Sequence, residues 1–354
     1  MSESETTGTG RRRFLLGGAT LGAGALVSGC VGAGGQADTA SDLVGKKQSN
    51  SNATPGKTVT LGLSIPAANH GWMAAIGDNA VAQAESYEDV KLKLTEGTND
   101  VNKQISQVKT LINQGVDVLA ILPFNGESLT AVAQQAMDKD IPVVNIDRVF
   151  ASTLAYRALV RGDNYGMGVQ AGQFLANKLK EQGKKDPVIV EVKGIANLPL
   201  TQARSEGFRE ALKSHGFKVD LAQSADFTPQ SGRKVMGNIL QAQPKIDAVW
   251  NHDDNQGTGV LAAIRQAERM DEFFMVGGAG SKEMMEHIKS EKGPMVATVL
   301  YPPTMSASAV NVARLIGQDR GMSDLVERVV PSETILYSAT VTKENVDQYM
   351  KVGF

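Results

Sequence analysis

The sequence predicts an α/β protein: two doubly wound parallel-sheet domains joined by a multi-stranded hinge. Three observations carry this. Short unbroken runs of Val, Ile and Leu recur along the 354 residues, and amphipathic segments of helical period separate them. The alternation pauses at Gly162-Asp163-Asn164 and then starts afresh. Strands buried on both faces read as continuous aliphatic runs, as parallel sheets covered by helices require. At about 150 residues per domain, the length also accommodates two cores.

The first series opens with a β-branched strand at 58–65, followed by a helix at 72–86 and a strand at 90–94. A helix at 101–114, a strand at 116–122, a helix at 128–139 and a strand at 142–146 continue it. The second series runs through a helix at 165–181, strand 188–192, helix 200–215, strand 218–223 and helix 231–242. Strand 248–250, helix 257–269, strand 273–276, helix 282–290, strand 295–300 and helix 304–316 follow, with a last extended stretch at 333–341. Residues 58–162 with 302–330 are assigned to the N-terminal domain, and 163–301 with 331–341 to the C-terminal domain. Residues 342–354 are left as a tail. The chain is expected to cross between domains near Gly162-Asp163, near Tyr301 and near Pro331.

The first 57 residues read differently. Arg11-Arg12-Arg13 leads into an apolar run from Leu15 to Val27 and then to Ser28-Gly29-Cys30, the charged, apolar and small-residue order of an export signal over residues 1–29. The run is too short for the roughly 20 residues of a membrane-spanning helix. Val27-Ser28-Gly29-Cys30 resembles a bacterial lipobox, which implies lipid attachment at Cys30. The paired arginines resemble a twin-arginine signal, although a Sec signal rich in Arg reads almost the same. Residues 30–57 are rich in Gly, Ser, Ala, Asn and Thr, bury too little to repay ordering, and read as a flexible tether. An extracytoplasmic, membrane-anchored monomer is the expectation.

Composition narrows the chemistry. Thirty-six Lys and Arg against 38 Asp and Glu give a net charge of −2, so no basic excess exists for a nucleic-acid partner. Four His and one Cys exclude zinc fingers, iron–sulfur clusters and an internal disulfide framework. No phosphate loop, dinucleotide fingerprint, zinc-protease helix or nucleophile elbow occurs. Three adjacent residues such as His252-Asp253-Asp254 rarely converge on one metal ion. No catalytic residue, metal or cofactor is therefore expected.

Ligands of open α/β sheets bind beyond the carboxyl ends of the strands. Those exits carry Pro66-Ala67-Ala68-Asn69-His70-Gly71-Trp72, Pro123-Phe124-Asn125, Asp147-Arg148, Lys193-Gly194-Ile195-Ala196-Asn197, Ser224-Ala225-Asp226-Phe227, Asn251-His252-Asp253-Asp254-Asn255 and Tyr301. They are rich in amides, carboxylates and aromatics: recognition chemistry without an evident reactive centre.

In this order and spacing the chain resembles the ribose/galactose type of periplasmic sugar-binding protein, the solute receptor of an ABC importer. The resemblance spans most of residues 58–341. It rests on 141–148, Gly162-Asp163-Asn164, Ser205-Glu206-Gly207-Phe208, Ala225-Asp226-Phe227 and 248–254. It implies the type I periplasmic binding protein fold, a small sugar or polyol as ligand, and an ABC permease as partner. It implies that Asp147 and Arg148 clamp neighbouring hydroxyls, where a forked guanidinium suits two oxygens. It implies that Trp72 and Phe227 stack on apolar sugar faces. Asp253 falls at a ligand-contacting position, with helix capping as the alternative for it and for Asp254. His70, Gln202, Ala279 and Tyr301 depart from the ribose pattern: His for Asn, Gln for Arg, Ala for Asp and Tyr for an amide. These departures point away from ribose itself. A repressor of the same fold would begin with a helix-turn-helix, which residues 1–57 lack. A chemotaxis or signalling receptor, and an enzyme using Asp147 and Asp253 as opposed carboxylates, are the alternatives.

Overall fold

The computed structural model describes residues 52–354. The export segment, Cys30 and the tether through residue 51 lie outside the described residues.

The first sheet contains β1 (Val59–Ser64), β2 (Val90–Leu94), β3 (Val118–Ile121), β4 (Val143–Ile146), β5 (Ala158–Gly162) and β11 (Glu333–Leu336). Its spatial order is β11-β5-β4-β3-β1-β2, and every pairing is parallel. The second contains β6 (Ile189–Lys193), β7 (Leu221–Ser224), β8 (Ala248–Asn251), β9 (Phe274–Ala279), β10 (Met295–Leu300) and β12 (Thr340–Thr342). The order β12-β10-β9-β8-β6-β7 repeats the first sheet, except that β12 runs antiparallel to β10.

Strand β3 shows why the aliphatic runs are unbroken. Val118 and Ala120 face the core beneath α1 (Gly71–Glu85) and α9 (Met305–Gly317). Leu119 and Ile121 face the opposite core beneath α2 (Val101–Asn113) and α3 (Gly126–Met137). Side chains alternate across a strand, so a sheet covered on both faces needs apolar residues at successive positions. In the second domain α4 (Asn164–Glu181) and α5 (Pro199–Ser214) cover one face. Helices α6 (Pro229–Ala242), α7 (Asp254–Gln266) and α8 (Lys282–Ser290) cover the other.

Most helix starts are capped by their own sequence. Asp100, Asn125, Asp163, Thr228, Asp253 and Ser281 each accept a backbone N–H from the first turn of the helix they precede. Helix α1 is different: His70 precedes it and its side chain makes no capping bond.

Three readings of the sequence need correction. The stretch 333–341 is two strands: β11 pairs with β5 in the first sheet, and only β12 joins the second. Residues 333–336 thus belong to the N-terminal sheet, and the third crossing lies at 337–339 rather than near Pro331. The crossings support one another, because Asp163 N–H donates to Leu336 O (3.0 Å) and Ser338 Oγ donates to Asp163 O (3.2 Å). Second, the end of the supposed tether is docked. The buried Arg314 guanidinium, paired with Asp89, donates to Asn52 O (2.7 Å), and Gln318 Nε2 donates to Lys57 O (2.8 Å). Third, the tail packs on the second domain, where Val341 and Val346 meet Met285 and Leu300. Among the described residues no helix is long and apolar enough to cross a membrane.

Candidate functional site

The carboxyl ends of both sheets face each other across a cleft. A space of about 30 Å³ lies there, and seven of the eight residues singled out from the sequence line it: His70, Trp72, Asp147, Arg148, Phe227, Asp253 and Tyr301. Leu200, Arg204 and Ala279 complete the lining.

Gln202 does not line it. That side chain is exposed, and the arginine of this wall is Arg204, buried two residues further along α5. Two residues turn a helix by about 200°, which exchanges one face for the other. The buried face of α5 carries Thr201, Arg204, Gly207, Phe208 and Ala211, and Arg204 falls in phase with it. The expected loss of an arginine is therefore corrected: the C-terminal wall keeps one, Arg204.

A polar relay joins the two walls. Tyr301 Oη donates to Asp147 Oδ1 and accepts from Asn164 Nδ2 (2.8 Å). Asn164 Oδ1 accepts from Arg204 Nε (2.9 Å), and Arg204 Nη1 donates to His252 O (3.0 Å). The Arg204 guanidinium lies 4.6 Å from the Tyr301 ring centre and 5.9 Å from that of Phe227. Burial and the neighbouring Asp147 push the Tyr301 hydroxyl well above its ordinary range, so it stays a donor. Gly162 lies directly against the Tyr301 ring, where a Cβ would be 2.1 Å from a ring carbon.

On the N-terminal wall, Arg148 Nη1 donates to Phe124 O (2.8 Å), while its Nε is buried with no protein partner. An unmet buried donor costs about 1–3 kcal/mol, which a ligand hydroxyl would recover. His70 Nδ1 bonds Asn69 Oδ1 (2.5 Å), which leaves Nε2 of a neutral ring as an acceptor. Burial and the Arg148 charge push His70 down to about 4, against an opposing pull from Asp226. Trp72 Nε1 donates to Tyr301 O (2.7 Å), and the Trp72 and His70 rings stack with centres 6.4 Å apart.

The C-terminal wall is held more firmly. Phe227 has φ +70°, its N–H donates to Gln256 Oε1 (3.0 Å), and its ring lies on Gly194, where no Cβ would fit. Gln256 Nε2 in turn donates to Asn251 Oδ1 (2.7 Å). Asp253 does two jobs: Oδ1 accepts from Gln256 N (3.0 Å) at the start of α7, and the carboxyl borders the cleft. Burial pushes Asp253 up to about 6. Asp254 turns away, accepting from the N–H groups of Gly278, Gly280 and Ser281 and from Thr298 Oγ1, and so fixes the β9 exit. Asp147 (φ +59°), Phe227 and Ala279 (φ +82°) are all left-handed non-glycine residues. Such backbone strain gathers at binding sites, where the surrounding structure holds it.

One contact crosses the cleft outside this lining. Trp72 N–H, in the uncapped first turn of α1, donates to Asn255 Oδ1 of the second domain (3.2 Å). Gly71 allows the approach, since a Cβ there would lie 3.0 Å from that amide. The cleft is therefore closed. Arg204 and Gln256 were not singled out from the sequence, and Asn164 and Asn255 stood only within longer stretches, without a role. Of these only Arg204 carried a signal, its phase on an apolar helix face.

A match to the periplasmic binding protein domain covers residues 61–319. The chain belongs to the periplasmic binding protein family, of the ribose/galactose sugar-binding type. It is 32% identical over 255 residues to the ribose import binding protein of Bacillus subtilis (strain 168), covering 72% of this chain and 80% of that one. It is 28% identical over 308 residues to the galactofuranose-binding protein of Escherichia coli (strain K12), covering 84% and 93%. A solved structure from Mycobacterium smegmatis, in complex with β-D-fucofuranose, superposes with a TM-score of 0.74 at 25% identity. It covers 83% of this binding protein and 94% of that chain.

Proposed function

We propose that this binding protein is the extracytoplasmic sugar receptor of an ABC importer. It captures a small sugar or sugar alcohol between its domains and presents the closed form to a permease. The observation that carries the reading is the buried, unpartnered Nε of Arg148 inside a closed cleft with aromatic faces on both walls. Such a site offers a donor to a hydroxyl and flat surfaces to C–H faces, and its carboxyls are already engaged by Tyr301 and by the start of α7. Binding rather than turnover follows from that engagement. The ligand contacts are assigned to His70, Trp72, Asp147, Arg148, Arg204, Phe227, Asp253 and Tyr301.

Closure is the signal. Only the closed state lets both walls touch the ligand, and that differential contact shifts the population. The relatives named above for ribose and galactofuranose support a pentose- or hexose-sized ring between the walls. Ribose itself is expected to bind weakly, because Ala279 offers no acceptor to a hydroxyl. Cys30, outside the described residues, is assigned as the lipid attachment point that holds a monomeric receptor at the membrane.

A thermal-shift screen over pentoses, hexoses and polyols tests the assignment. A ligand at 100 times its Kd adds about 2.7 kcal/mol of stability. Stabilisation by none of them, or measurable turnover of one, would contradict a sugar receptor.

A further inference from the structure

The inner space is small: about 30 Å³ is room for only a couple of waters. Past Asp147, Arg148 and Leu200, which border both, the cleft widens into a second chamber of about 470 Å³. That volume falls within the usual range of small-molecule sites. Its walls come from both domains: the exits of β3 and β4 on one side and the start of α5 on the other. Val149, Leu198 and Pro199 supply apolar surface, and Val149 is 44% exposed despite lying beside the site. Asn125, Glu127 and Asn197 supply polar groups. Asn125 uses its Oδ1 to cap α3, which leaves its amide NH₂ to face a ligand.

Apolar faces with amide and carboxylate edges suit the alternating C–H and hydroxyl surfaces of a sugar ring. We propose that this outer chamber is a second subsite that takes the second ring of a disaccharide, with the first ring engaging the inner site as that site opens and recloses. The inference rests on the sugar-receptor reading and names its substrate class. Arg148, standing on the shared wall with Nε free, would contact the linkage between the rings.

Calorimetric titration of the full chain tests this, comparing monosaccharides with disaccharides built from them. A cognate disaccharide should bind at least about tenfold more tightly than either component. Ala203→Trp, which fills the outer chamber from α5, should bring the disaccharide down to the affinity of its tighter component while leaving that monosaccharide within about twofold. Asn197→Ala, on an exposed loop with little bearing on folding, should cost the disaccharide about threefold and the monosaccharide nothing. Monosaccharides that bind as well as every disaccharide, or variants that weaken both alike, would overturn the second subsite and leave the receptor standing. Binding of no saccharide at all would overturn both.

Discussion

The two walls of the cleft are built from the same kind of sheet, yet they are prepared differently. On the C-terminal wall the polar groups are committed within the protein. Arg204 serves Asn164 and the carbonyl of His252, Asp253 caps α7, and Gln256 fixes the strained Phe227. The N-terminal wall keeps capacity in reserve: Arg148 Nε has no partner, the His70 ring presents an acceptor, and α1 has no cap of its own. One wall is a template and the other a set of unmet hydrogen bonds. Preorganisation on one side lowers the ordering cost of binding. Unmet groups on the other make closure depend on what lies between.

The sharpest way to break this contrast is at the two arginines. Arg148→Ala should cost binding about 2–5 kcal/mol, or roughly thirtyfold or more in Kd, with little change in melting temperature. Arg204→Met should lower stability itself by about 1–3 kcal/mol, because Asn164 Oδ1 and the His252 carbonyl lose a buried donor. Calorimetry and thermal unfolding on both variants separate the roles. Equal losses of stability would erase the distinction between the walls.

A second contrast is in pH. In the closed cleft His70 titrates at about 4, and in an open, solvated cleft near its ordinary 6.5. The open form therefore takes up its proton first as pH falls. The His70 contribution should be constant above about pH 7 and cost affinity on the order of a hundredfold between 6.5 and 4, and His70→Asn should remove it. Asp253, pushed up to about 6 by burial, works in the opposite direction, so identical profiles in the wild type and His70→Asn, rather than a flat one, would remove His70 from the ligand-facing set.

The smallest effect concerns the cross-domain cap. Asn255 does not itself line the inner site, yet its Oδ1 accepts from the backbone N–H of Trp72, in the first turn of α1, only when the domains meet. Asn255→Ala should weaken every ligand alike, by about three- to tenfold, at the magnitude of a lost helix cap. An effect restricted to one sugar would make Asn255 a ligand contact instead.

Much of this was legible in the sequence because sheets buried on both faces leave a plain aliphatic trace and ligands gather at strand exits. Asp147, Arg148, Phe227, Asp253 and Tyr301 follow β-strands within three residues, His70 and Trp72 stand at the start of the helix that follows β1, and all seven line the cleft. Gln202 failed because it sits inside a helix, where two residues of register reverse the face. Strands β11 and β12 merged into one stretch because the break at 337–339 changes sheets without changing composition. The docking of residues 52–57 was invisible because much of it is made by backbone carbonyls, which any residue supplies, to Arg314 and Gln318 some 260 positions away. Asn164 and Asn255 had no role legible in the sequence, since their partners lie across the hinge and across the cleft.

The central claim, that a sugar is held by both walls at once, is tested most directly by small-angle scattering of the full chain with and without the tightest ligand from the screen. The account predicts that the radius of gyration falls at saturation and that Arg148→Ala abolishes the change at the same ligand concentration. A radius of gyration that stays constant while calorimetry shows the site filled would contradict capture by closure.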